Sequence, residues 1–143
     1  MLNQYLVGGL TSIVNIAIHA LVMTLVVYAA HAVRAKQKSS SSLLVINVMI
    51  ATVSILMVAH ASEVLIWALT YRLTGAAPVH SDLVYFAFVN YTTLGYGDVI
   101  PVERWKLLGP MTAMNGVLLF GWSTAVIFEV LRKAMTSKAE KPS

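Results

Sequence analysis

Apolar residues run along this chain in long unbroken blocks, with neither strand alternation nor a narrow surface-helix stripe. Three blocks, at about 5–32, 43–71 and 107–131, reach or exceed the ~20 residues a helix needs to cross a bilayer. Between the second and third lies a shorter apolar segment, 82–92. At helical rise it makes only about two to three turns, too few to cross. The pattern predicts an all-α membrane protein of three transmembrane helices, with a short re-entrant helix and loop between the last two. The brief polar run Ser39–Ser42 separates the first two blocks, and its last serine is placed to cap the second helix.

Composition agrees with lipid as the solvent. Hydrophobic residues make up 58% and charged residues 11% of the chain, against about 25% charged in soluble domains. A soluble fold of this length could not hide that much apolar surface. The formal charge of +4 raises the question of nucleic acid. The basic residues flank apolar spans and form no patch with interleaved aromatics, so no nucleic-acid partner is expected. The absence of cysteine excludes a disulfide framework, a thiol nucleophile and a thiolate metal site. Ala30-His31-Ala32 resembles a signal-peptide cleavage site, yet no positive residue precedes the first block, which far exceeds a signal core of about 7–15 residues. The first span is therefore expected to be retained.

Charge sets the expected orientation. Arg34, Lys36 and Lys38 follow the first span, and Arg132, Lys133, Lys138 and Lys141 follow the third. An odd number of spans puts these regions on one side of the membrane. The other side mixes Arg72, Arg104 and Lys106 with Asp82, Asp98 and Glu103. By the positive-inside rule, the chain is a multi-pass protein of the cell membrane with its N-terminus outside and its C-terminus cytoplasmic.

The loop after the short segment reads Thr92-Thr93-Leu94-Gly95-Tyr96-Gly97-Asp98, with Pro101 beyond it. This resembles the selectivity-filter signature Thr-x-Gly-Tyr-Gly-Asp of the potassium channel family, in its tetrameric single-pore-loop form. Four fixed residues at about 5% usage each recur by chance about once per 10⁵ windows. A Gly-Tyr-Gly-Asp run is also good turn chemistry, but a short non-spanning segment before it and a span after it favour the filter. The resemblance is specific from about 85 to 101, looser to 131 and absent from 1–42. It implies a potassium-selective channel subunit that works as a homotetramer among membrane lipids, with K⁺ as permeant ion and no cofactor. It divides the chain into an extra transmembrane helix with a basic linker (1–42), a pore domain (43–133) and a cytoplasmic tail (134–143). Within the pore domain lie an outer helix (43–71), a pore helix (82–92), a filter (93–98) and an inner helix (105–131).

The chemistry accounts for the residue types. A dehydrated potassium ion needs oxygens in place of water, and rings of backbone carbonyls from four chains supply them. By resemblance, Thr93, Leu94, Gly95, Tyr96 and Gly97 form the ion site, with the Thr93 hydroxyl as an added ring. Aligning successive carbonyls needs backbone angles that glycine adopts cheaply, hence Gly95 and Gly97. Tyr85, Phe86, Asp98, Trp105 and Glu63 are the expected support. Leu94 stands where valine is commonest, and Val89 where some relatives carry a glutamate paired with the filter aspartate. Asp98 must then bond Trp105, Tyr85 or water. Asn115, Gly116, Gly121 and Ala125, with Leu118 and Trp122, are hinge or cavity candidates, and each glycine equally suits a close helix contact.

Polar residues inside the spans carry a second expectation. Thr11, Asn15 and His19 form one stripe of the first helix, and Ser54, His60 and Glu63 interrupt the second. An antiparallel hairpin would set Thr11 near His60 and Asn15 near Ser54. Glu63 reads either as a neutral, hydrogen-bonded acid that holds the outer helix to the pore helix or as a proton-sensitive brace behind the filter. Glu129 is expected to pair with Arg132 or Lys133 one turn on. No span carries arginine at every third position, so no voltage sensor is expected. Rival functions are a weakly selective cation channel and a non-conducting pore-like partner subunit. Enzyme activity is not expected, because the four histidines are scattered and His60 with Glu63 has no third ligand nearby in sequence.

Overall fold

The computed structural model describes residues 1–36 and 42–136. It is all-helical: α1 (Leu2–Lys36), α2 (Ser42–Thr74), α3 (Leu83–Tyr91), a 3-10 turn (Glu103–Trp105) and α4 (Leu108–Thr136). Three helical segments, Leu2–Val33, Ser42–Thr74 and Glu103–Met135, are long and apolar enough to span a membrane. The most apolar window of α2 is only 17% buried within the chain. Such a helix needs lipid or another chain against its remaining faces. Ser42 is already helical rather than a cap, and Lys38, Ser39–Ser41, Lys138 and Lys141 lie outside the described residues.

The short helix starts where its cap dictates. Asp82 is extended, and its Oδ1 accepts from the backbone N–H of Val84 at 3.0 Å and Tyr85 at 3.1 Å. These satisfy donors that a first turn leaves open, and the carboxylate suits the positive helix end. After the loop, the chain is tied back to the end of α2. Val102 N–H donates to the Ala76 carbonyl at 2.8 Å, and Arg104 Nη2 to that of Thr74 at 3.1 Å.

The first helix joins its own chain's bundle, antiparallel to α2 and parallel to α4. Along α4, Gln4 Oε1 accepts from Leu107 N–H at 2.8 Å, Asn15 Nδ2 donates to Asn115 Oδ1 at 3.1 Å, and His31 meets Lys133 at 2.9 Å. Along α2, the hydroxyls of Thr11 and Thr70 lie 3.1 Å apart and Asn15 Nδ2 donates to the Glu63 carbonyl at 3.3 Å. The polar stripes do face each other, but not in the expected register. Thr11 meets Thr70 instead of His60, about three turns away, and Ser54 is exposed. The physical reason is helix length. Helix α1 continues to Lys36, beyond the apolar block's end, and α2 starts at Ser42, which shifts the partners of α1 toward later residues of α2. With no native cysteine, Thr11→Cys with Thr70→Cys is expected to cross-link efficiently, and Asn15→Cys with Ser54→Cys to stay unlinked. The reverse result would refute this register.

Two apolar clusters hold the bundle. One packs Trp67, Tyr71, Phe86, Tyr91 and Leu108 around the short helix, and the other packs Met23, Val26, Leu56, Val126 and Val130 toward the opposite membrane face. Between them lies a band of buried polar side chains.

Candidate functional site

The loop after α3 has an unusual backbone. Thr93, Gly95 and Gly97 have φ of 60°, 57° and 78°, while Leu94 and Tyr96 keep negative φ. Positive and negative φ thus alternate along 93–97. The first N–H groups of the loop turn back onto α3: Thr93 N–H donates to the Asn90 carbonyl at 3.0 Å, and Leu94 N–H to that of Val89 at 3.0 Å. A β-branched residue at positive φ is a costly outlier of about 1–3 kcal/mol, and such strain persists where surrounding structure enforces it. Leu94 and Tyr96 are 52% and 68% exposed on the single chain.

The support around the loop comes from four elements. Tyr85 of α3 donates its hydroxyl to Asp98 Oδ2 at 2.7 Å. That bond to a carboxylate holds the phenol above its usual range. Asp98 thus has the tyrosine among its expected partners, and Trp105 instead sits in the 3-10 turn, packed against the core around Trp67. Phe86 is fully buried on Tyr71, ring centroids 4.8 Å apart. Gly116 of α4 lies under the end of α3, where an added Cβ would stand 2.0 Å from the Tyr91 carbonyl oxygen. It is a close-contact glycine. Gly121 has nothing within 4 Å of the same construction.

On α4, Met114, Leu118, Gly121, Ala125 and Phe128 form one exposed stripe at helical spacing. Asn115 does not belong to it, contrary to the cavity expectation. It is 1% exposed and accepts from Asn15 at 3.1 Å and from Trp67 Nε1 at 3.0 Å. Its polarity serves contacts with α1 and α2 that the sequence does not reveal. Trp122 packs its ring 5.4 Å from that of His19, on the α1 side. Glu129 bonds Arg132 and Lys133, each at 2.9 Å, at the far end of the helix.

Glu63 is fully buried at the meeting of three helices. Its Oε1 lies 2.8 Å from His19 Nδ1 of α1, its Oε2 lies 3.0 Å from His60 Nδ1, and the Tyr91 hydroxyl of α3 donates to it. The strut to the short helix is thus present, through Tyr91. His19 was not associated with His60 and Glu63 in the sequence, because only the α1–α2 register brings it there. Its place on the polar stripe of α1 was the available signal.

Residues 59–133, or 75 of 143, match the ion channel family. No curated protein and no solved structure matches the chain. The family match takes in the second half of α2, the short helix, the loop and nearly all of α4. A chain with those elements and these spans belongs to the ion channel family, as a multi-pass membrane channel subunit.

Proposed function

We propose that the chain is a potassium-selective channel subunit that conducts passively as a homotetramer. One observation carries the reading. The stretch with the filter-like sequence alternates the sign of φ from Thr93 to Gly97, with the N–H groups of Thr93 and Leu94 bonded to its own short helix. A ring of carbonyls needs backbone that is neither regular helix nor strand, and one chain would supply a quarter of each ring. In this reading Thr93, Leu94, Gly95, Tyr96 and Gly97 line the ion path, Asp98, Tyr85, Phe86, Trp105 and Glu63 support it, and the exposed α4 stripe faces the cavity. The C-terminal end of α3 turns its negative dipole end toward a cation there. The N-terminus faces outside and the basic ends face the cytoplasm.

Purified protein in liposomes should release potassium well ahead of sodium down equal gradients. Equal rates would favour the weakly selective channel, and no flux the non-conducting partner. Gly95→Ala should abolish potassium selectivity, because a Cβ at φ 57° costs roughly 1–2 kcal/mol per chain. Retained selectivity in a folded Gly95→Ala channel would remove this assignment.

A further inference from the structure

Inside the bundle, away from the loop, His19 of α1 and His60 and Glu63 of α2 bring ligating atoms within 4.8 Å of one another. Both imidazoles present the same nitrogen to one carboxylate, Nδ1 at 2.8 Å for His19 and 3.0 Å for His60. Both also turn Nε2 to one hydroxyl, Ser123 of α4, at 3.3 Å and 2.9 Å. A serine oxygen has two lone pairs and can accept from both Nε2–H groups. In that tautomer, the one a bound metal selects, each Nδ1 offers a lone pair beside the carboxylate oxygens. Histidine ligands have this arrangement, with one nitrogen on the metal and the other anchored by an oxygen that fixes tautomer and ring orientation. Without a metal each Nδ1–H donates to the carboxylate instead.

We propose that His19, His60 and Glu63 form a buried divalent transition-metal site, of the class that takes Zn²⁺, which clamps α1 to α2. Zinc holds nitrogen and oxygen ligands at about 2.0–2.2 Å, which puts tetrahedral ligand atoms about 3.3 Å apart. The separations of 2.8 Å and 3.0 Å, each to a different carboxylate oxygen, need open by only a few tenths of an ångström, and one ligand atom from each of the three residues lies within 4.8 Å of the others. Two imidazoles and a carboxylate suit Zn²⁺, Co²⁺ or Fe²⁺ and not Ca²⁺ or Mg²⁺, which favour oxygen alone. The Tyr91 hydroxyl, bonded to Glu63 and 2.8 Å from His60 Nδ1, is the nearest further oxygen for the fourth position. A divalent ion on one carboxylate leaves a net positive charge. Tyr91 is the last residue of α3, so the negative end of that helix dipole lies beside it. The site does not depend on which ion the pore passes.

The test uses the assembled full-length protein in detergent, stripped with chelator and titrated separately with Zn²⁺ and Co²⁺. One ion per chain is expected by elemental analysis, with the visible absorption of four-coordinate Co²⁺ and a raised melting temperature. His19→Ala and Glu63→Ala should each weaken binding by more than about 100-fold, and Ser123→Ala by about 10–100-fold with stoichiometry kept. Helical circular dichroism and oligomer elution establish that each variant is folded. The wild-type cobalt spectrum stands without any variant, so its absence from folded protein overturns the site. Unchanged affinity in folded His19→Ala overturns it as well, because the ion would then lie at another histidine.

Discussion

Alanine at Gly116 should prevent the channel from folding into a stable assembly. Its Cβ would stand 2.0 Å from the Tyr91 carbonyl oxygen and 3.0 Å from that carbonyl carbon. Both neighbours are backbone, so no side chain can rotate aside. An ordinary carbon–oxygen contact needs more than an additional ångström, which can come only from separating α4 and α3. Overpacking usually costs about 1–3 kcal/mol when side chains absorb it. Here the clash lies between two helix backbones, and the cost should reach at least about 3 kcal/mol. Gly121→Ala is the matched control. Its added methyl meets nothing within 4 Å on the chain, and helix propensity alone favours it by about 0.5–1 kcal/mol. Thermal unfolding of both variants in detergent decides the matter. Equal melting temperatures would mean that α3 does not rest on Gly116.

The second large effect is expected at Glu63. Replacement by leucine leaves His19 Nδ1 without its partner at 2.8 Å and removes contacts to His60 and Tyr91. Tyr91 and His60 keep each other at 2.8 Å, and His60 keeps Ser123 at 2.9 Å. The heaviest loss therefore falls on His19, fully buried on α1. A buried group left unsatisfied costs about 1–3 kcal/mol, and lost interhelical bonds in lipid add about 0.6–2 kcal/mol each. Metal-free Glu63→Leu should lose about 2–4 kcal/mol, and Glu63→Gln less, because an amide still bonds. Removing the interacting groups together should cost less than the single changes summed. Triple replacement of His19, His60 and Glu63 by leucine is therefore expected to melt no lower than Glu63→Leu alone. A triple variant much less stable than the single one would show that these groups act independently.

Apolar blocks and the Gly95-Tyr96-Gly97 run are local features, and they were legible in the sequence. The spans, the short helix and the loop after it follow from lengths and residue types in one stretch of chain, and the resemblance carried by the loop pointed to an ion channel. Each depends on whether backbone groups are satisfied within a segment, a property set by near neighbours in sequence. Glu129 with Arg132 and Lys133 was readable for the same reason, as one helical turn brings them together.

The relation of α1 to the other helices was not legible. Thr11 could slide along α2 with little change in apolar contact, since lipid solvates the unpaired faces equally well. Only the polar partners select a register: Thr70, Glu63, Asn115 and Ser123, on two different helices. Their choice depends on where α1 ends, and that helix runs past its apolar block. The sequence by itself thus determined the spans, the short helix between the last two and the loop that follows it. Tertiary structure alone decided that His19 joins His60 and Glu63, that Asn115 turns inward, and that Gly116 seats the short helix. Those pairings lie dozens of residues apart, and helix packing, not local propensity, brings them together.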